Sequence, residues 1–214
     1  MLAFLGGTGP EGKGLALRLA LAGQEIVIGS RSEERAREAA ESLRELAPQA
    51  VISGEVNAVA ARMGDPVFVT IPYEGHGSLL EGVSSELVGK VVVDVVAPLT
   101  FAKGKARALQ IDEGSAAEEA QRILPDSYVV AAFQNISAAK LMAPDKPMEG
   151  DVVVCSDHSE AKDRVMEIVR LIKDLRAVDG DGLENAKYIE QFTAMLININ
   201  RIYKAHSMIR IVGI

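Results

Sequence analysis

The chain is poor in the residues on which many protein chemistries depend. Of 214 residues, one is cysteine, three are histidine and none is tryptophan. A single thiol, Cys155, excludes an intrachain disulfide framework and suits a reducing cytoplasm. No group of His and Cys has metal-ligand spacing, so no metal site is expected. No apolar run reaches the roughly 18 residues of a membrane span. Positive charge is also in deficit: 23 Lys and Arg stand against 30 Asp and Glu, a formal net charge of -7. That balance argues against nonspecific binding to nucleic acid or an anionic membrane. No signal peptide is expected, because an apolar strand starts at Leu2. No pair of side chains stands out as a catalytic dyad.

Apolar residues are plentiful at 48%, enough for a sizeable core in one full domain plus a small second one. The informative stretch is the first. Leu2–Leu5 reads as a short strand, and Gly7-Thr8-Gly9-Pro10-Glu11-Gly12 follows as G-x-G-x-x-G opening a helix. Glycines there allow a tight turn and let backbone N–H groups approach a pyrophosphate, while the helix N-terminus adds the positive end of its dipole. Between a strand and a helix, the motif points to a dinucleotide.

The next extended run, Glu25–Gly29, ends in Ser30-Arg31, with Arg35 one helical turn later. A carboxylate at this strand tip would hold the ribose 2′-hydroxyl of NAD. Here a hydroxyl and a guanidinium stand instead, and Arg can grip a phosphate bidentately. The expected cofactor is therefore NADP(H).

Strands are expected at Leu2–Leu5, Glu25–Gly29, Val67–Ile71, Lys90–Val96, Tyr128–Phe133 and Asp151–Cys155. Helices are expected at Gly12–Ala22, Ser32–Leu46, Gly75–Val83, Ala116–Leu124, Glu160–Leu175 and Leu183–Tyr203. The valines of 91–96 suit a parallel strand buried on both faces. Alternation of this kind implies right-handed βαβ crossovers: an α/β fold with a Rossmann-type, doubly wound parallel sheet. A dinucleotide-binding domain is placed at residues 1–150 and a small, mainly helical C-terminal domain at 151–214. Ligands in such sheets bind beyond the C-terminal strand ends. Those ends carry Pro72, Tyr73 and His76; Ala97, Pro98 and Leu99; and Gln134 to Ala139. The prolines turn the chain off its strand, and the small residues leave room for a flat ring. His76, an isolated histidine, reads first as structural or solvated.

Gly6-Gly7-Thr8-Gly9, Gly29-Ser30-Arg31, Thr70-Ile71-Pro72-Tyr73, the Pro98 turn and Asn135-Ile136-Ser137-Ala138 occur in one order. With the ending Asn200-Arg201-Ile202-Tyr203-Lys204-Ala205-His206 and Ile209-Arg210-Ile211, the set resembles the coenzyme F420-dependent NADP oxidoreductase family across essentially the whole chain. The resemblance implies NADP contacts from Thr8, Gly9, Pro10, Glu11, Ser30, Arg31, Arg35, Ile71, Pro72, Ala97, Pro98 and Ala138. It places the deazaflavin F420 against Asn135, Ile136 and Ser137 and the tail around Ser207. Some relatives carry His-Thr-Ile-Pro where this chain has Gln134-Asn135-Ile136-Ser137, and the segment also resembles the NADPH domain of the STEAP metalloreductases, which reduce a flavin. The implied activity is hydride transfer between two cofactors that carry their own reactive carbons. Such chemistry needs orientation and a dry cleft rather than a general acid or base.

Residues 191–214 hold Arg201, Lys204 and Arg210 and no acid, which favours an anionic partner. The stripe Ala186, Ile189, Phe192, Thr193, Leu196 and Asn200 suits packing on the sheet domain or on a second subunit, and a homodimer through this helix is expected by fold-level analogy alone. Other readings are an NADPH-dependent reductase of another flavin or small substrate, and an NADPH-sensing module without turnover. Enzymes such as 3-hydroxyacid dehydrogenases and imine reductases usually have a larger helical second domain than residues 151–214 can form.

Overall fold

A computed structural model describes all residues from Met1 to Ile214. The first half alternates β1 (Leu2–Leu5), α1 (Pro10–Leu21), β2 (Ile26–Ser30), α2 (Glu33–Leu46), β3 (Ile52–Val56), α3 (Asn57–Met63) and β4 (Val67–Val69). Next come α4 (His76–Gly82), α5 (Ser84–Leu87), β5 (Val91–Asp94), β6 (Leu99–Ala102) and β7 (Lys105–Ala108). The chain continues through α6 (Ala116–Ile123), β8 (Tyr128–Ala131), α7 (Ala138–Leu141), β9 (Gly150–Val154), α8 (Ser159–Leu171), β10 (Leu175–Asp179) and α9 (Ala186–Tyr203).

Six strands form one parallel sheet in the order β3-β2-β1-β4-β5-β8. Strand order reverses between β1 and β4, so the cleft opens beyond those strand ends, as a doubly wound sheet requires. Both faces are covered, and the pleat sorts the side chains. Leu2, Phe4, Ile26, Ile28, Val91 and Val93 pack with α1, α2 and α8. Ala3, Leu5, Val27 and Val92 pack with α3 to α6. A strand buried on both sides has no polar face, which explains the continuous valine run. Phe4 and Phe68 stack at 4.6 Å between ring centroids in the centre. The core continues across residue 150: Val152, Val154, Val165 and Val169 lie in the same apolar cluster as β1 and β2.

The structure departs from the sequence expectations at several elements. The helix expected over Glu160–Leu175 stops at Leu171. Asp174 takes a left-handed φ of 69°, and Leu175 begins β10, which pairs in parallel with β9. The strand expected over Val67–Ile71 ends at Val69, that over Lys90–Val96 pairs only over Val91–Asp94, and that over Tyr128–Phe133 ends at Ala131. These shortened ends release Thr70 to Pro72, Val95 to Pro98 and Ala132 to Ser137 as cleft-lining loops. The first turn of the helix expected from Leu183 is a separate 3-10 turn, Leu183–Asn185. Strand β3 and the β6–β7 hairpin were not expected at all. In the hairpin, Lys103 and Gly104 both have positive φ, the turn geometry that matches strand twist. Asn198 of α9 brackets Ala106 with two hydrogen bonds, so the hairpin rides on the C-terminal helix.

Candidate functional site

The glycine turn divides its labour between fold and ligand. A Cβ on Gly7 would meet the Phe4 carbonyl oxygen at 2.7 Å, and one on Gly12 would meet the Gly7 Cα and Thr70 Oγ1 at 2.6 Å. Both glycines are demanded by packing. Gly6 has φ 64°, and its N–H donates to Asn57 Oδ1 at 3.1 Å. Gly9 differs: a Cβ there would meet nothing within 4 Å. It caps α1 without a side-chain hydrogen bond, and Pro10 follows at the first helical position. The helix N-terminus is thus open for an anion.

Two chambers meet at this turn. The larger, about 880 Å³, is lined by Thr8, Ser30, Arg31, Arg35, Asn57 and, on α4, Ser78, Leu79 and Gly82, among others. Ser30 is buried, and its Oγ accepts from the Ser32 N–H at 3.3 Å. Ser32 in turn caps α2, accepting from the Arg35 N–H. Arg31 and Arg35 are exposed and neither takes part in an ion pair.

The second chamber, about 530 Å³, runs from Gly9, Pro10 and Glu11 past Val95 to Ala97 and Phe133 to Ala139, and closes against α9 and the tail. Gly9, Thr70, Ile71 and Pro72 line both chambers, so the two are continuous. Phe133 turns the chain off β8 with φ 73°. Gln134 and Asn135 are then fixed by their amide nitrogens: Gln134 Nε2 donates to the Asp94 carbonyl at 3.0 Å and Asn135 Nδ2 to the Asp151 carbonyl at 2.8 Å. Thr193 Oγ1 ties α9 to the Gln134 carbonyl at 2.9 Å. Asn200 Oδ1 accepts from both the N–H and Oγ of Ser207, holding Ser207 and His206 at the cleft wall.

Four buried side-chain polar atoms have no hydrogen-bond partner: Glu11 Oε1, Gln134 Oε1, Asn135 Oδ1 and Ser53 Oγ. Three of these belong to residues lining the second chamber. An orphaned buried acceptor costs about 1–3 kcal/mol, so the two amide oxygens, Gln134 Oε1 and Asn135 Oδ1, fit a ligand that brings N–H or O–H donors, as a carboxamide does. Together with the free α1 N-terminus and the unpaired guanidinium groups, the chambers fit a 2′-phosphorylated dinucleotide and a second ring.

Of the residues that the resemblance implies as NADP or deazaflavin contacts, all but Pro98 line one chamber or the other. Pro98 is buried, and its carbonyl accepts from the Leu109 N–H beyond the hairpin. His76 lies beneath the cleft and lines neither chamber. It is fully buried, with Nε2 2.6 Å from Asp94 Oδ2 and Nδ1 3.3 Å from Glu119 Oε2. Burial pulls its pKa down, but Asp94 and Glu119 outweigh this and hold it up at about 9. Glu190 accepts from the N–H groups of Ala116 and Ala117, while burial pushes its carboxyl up to about 8. Sequence reasoning missed Asn57 and Arg18, and read Thr193 and Asn200 as part of a packing stripe rather than as anchors of the cleft wall. The guanidinium of Arg18 is buried and donates to the carbonyls of Lys140, Leu141, Ala143, Pro144 and Lys146, pinning the segment after α7 to α1. A lone arginine inside the apolar run Leu15–Leu21 was the available signal. The basic residues Arg201, Lys204 and Arg210 are exposed.

A family model described as NADP oxidoreductase, coenzyme F420-dependent, matches residues 1–98. The chain is 42% identical over 205 residues to the F420-dependent NADP reductase of Methanothermobacter marburgensis, covering 93% of this chain and 92% of that one. It is 41% identical to the protein of the same name from Methanocaldococcus jannaschii, over 95% and 94% of the two chains. The mouse metalloreductase STEAP2 is 31% identical over 91% of this chain but only 36% of its own length. Among solved structures, an Arthrobacter sp. FB24 protein described as an F420-dependent NADP-reductase superposes with a TM-score of 0.85 over 99% of both chains. At 22% identity that likeness bears on the fold alone. Near-complete coverage at this identity, over a chain whose glycine turn, arginine pair and cleft loops all meet in one place, is decisive: the chain belongs to the F420-dependent NADP reductase family.

Proposed function

We propose that the protein transfers a hydride between NADP(H) and the deazaflavin coenzyme F420, reversibly, as an F420H2:NADP+ oxidoreductase. The observation that carries this reading is one continuous cleft with two unlike ends, in a chain over nine-tenths matched by reductases of that name. The bound coenzymes supply the hydride and its acceptor carbon; the chain supplies position. Thr8, Gly9, Pro10 and Glu11 receive the dinucleotide at the α1 N-terminus. Ser30, Arg31 and Arg35 hold its 2′-phosphate. Ile71, Pro72, Ala97 and Ala138 border its nicotinamide end. Asn135, Ile136, Ser137 and Ser207 take the second ring. No side chain acts as acid or base on the reacting carbons; the cleft loops would hold the two rings face to face for direct transfer. We read residues 1–150 as the dinucleotide-binding part and 151–214 as the far wall of the cleft.

The active form is proposed to be a homodimer. Tyr188, Met195 and Ile202 stand exposed along α9 at 61%, 54% and 65%, a seam that one chain leaves uncovered. No helix is long and apolar enough to cross a membrane. The buried Cys155 thiol, pushed up to about 11 by burial, is compatible with a cytoplasmic setting.

Mixing NADPH with oxidised F420 tests the reading. Catalytic loss of deazaflavin absorbance is expected. NADPH binding without turnover would favour a sensor, and turnover with FMN or FAD but not F420 would favour another flavin reductase.

A further inference from the structure

Among residues lining the second chamber, Glu11 is the only acid and His206 the only base. Glu11 is the second helical residue of α1, beside Gly9, whose missing side chain leaves open space. A helix N-terminus favours a carboxylate, and an exposed Glu at this position would be ionised. Here the side chain is turned inward. Its Oε1 is buried and has no hydrogen-bond partner. Burial pushes the carboxyl up to about 8, and no charged neighbour contributes. No charged group shifts it, neither His206 across the chamber nor Lys13 of α1 nor Lys140 of α7. Nothing in the protein itself uses this acid.

Resting on the reading that NADP(H) binds at the α1 N-terminus, we propose that Glu11 is a proton-gated contact for the dinucleotide. Its neutral carboxyl donates a hydrogen bond to an oxygen of the bound nucleotide near the pyrophosphate. Its carboxylate form repels the same group. The proton is neither consumed nor passed on: a neutral Glu11 keeps it in the complex, and an ionised Glu11 takes one from solvent when the nucleotide binds. Glu11 thereby sets the pH range in which the cofactor is held, independently of the arginines that read the 2′-phosphate.

The test is NADPH binding, followed by the fluorescence of the nucleotide between pH 7 and pH 9.5. The 2′-phosphate, with its second pKa near 6, is ionised throughout that window. The wild-type Kd is expected to rise about tenfold between pH 7 and pH 9, since each unit above the titration of a required proton costs a factor of ten. In E11Q, whose amide donates at every pH, the Kd should stay level over the same range. His76 and Glu190 also titrate here but are retained in E11Q, so the difference between the two proteins isolates Glu11. Calorimetry of the wild-type protein at pH 9 in two buffers of different ionisation enthalpy gives a second readout, with proton uptake approaching one per NADPH. A level wild-type Kd, or the same slope in E11Q, overturns the proposal while leaving the NADP site intact. Absence of NADPH binding at any pH overturns both.

Discussion

Arg31 and Arg35 stand at the rim of the larger chamber with no carboxylate to neutralise them, and Ser30 lies buried beside them. A strand tip of this kind is selective for a doubly charged phosphate over a hydroxyl. Replacing Arg31 with Ala should raise KM for NADPH far more than for NADH, by about 2 kcal/mol for one charge-assisted bidentate contact. Steady-state kinetics with both nucleotides read this directly, and equal losses would remove the 2′-phosphate assignment. Residues of this kind were legible without a structure because their chemistry is local: G-x-G-x-x-G and Ser-Arg sit within a few positions of their strands. Arg18 was not legible. Its role depends on five carbonyls more than 120 positions away in sequence, and nothing near it in the chain announces them.

At the scale of elements, the cleft depends on how the tail is held. Asp151, at the start of β9, is fully buried and accepts from Arg176 Nε at 2.9 Å and Nη2 at 2.8 Å, and from the Ile211 N–H at 2.6 Å. Arg176 on β10 also donates to the carbonyls of Ile211 and Ile214. Arg176, followed by the Ile211 N–H, holds the Asp151 carboxyl below the usual carboxylate range against the opposing pull of burial. The basic tail is therefore clamped to the body through residues 208–214, and the clamp carries His206 and Ser207 into the cleft. Asp151→Asn should loosen it. Limited trypsin digestion at Arg210 should become fast, and the acceptor KM should rise more than the KM for NADPH. A variant with wild-type digestion and kinetics would show that the clamp is dispensable. The parallel pairing of β9 and β10 explains why the helix expected through Leu175 was wrong. The apolar spacing of Ile172 and Leu175 fits a helix face as well as a strand entry, and only the partner strand decides between them.

For the whole molecule, the titrating groups pull one way. Glu11 and Glu190 are held up near 8 by burial, and His76 near 9 by its two carboxylates. A raised folded-state pKa adds stability that is complete below the unfolded-state value and is lost as pH rises through the folded one. The carboxyls lose their share between about pH 4.5 and 8, and His76 between about 6.5 and 9. The lowered Asp151 and Asp179 act oppositely, but only below the ordinary aspartate value of 3.8. Thermal unfolding should therefore show the highest Tm near pH 5 and a steady fall to pH 9, steeper than the fall of a His76→Gln variant. A Tm that rises between pH 6 and pH 9 would mean that the buried network is not charged as described.

The sequence by itself determined the alternation of strands and helices, the doubly wound sheet, the dinucleotide turn and the absence of a carboxylate at the second strand tip. These follow from local periodicity, glycine placement and side-chain chemistry, which need no knowledge of distant contacts. Only the tertiary structure decided that β3 and β10 are strands, that His76 is buried between two carboxylates rather than facing the cleft, and that Pro98 lies outside it. It alone brought Glu11, Gln134 and Asn135 to one chamber with unpartnered oxygens. Such facts depend on which side chains meet after packing, and pairings between groups far apart in the chain leave no periodic trace along it.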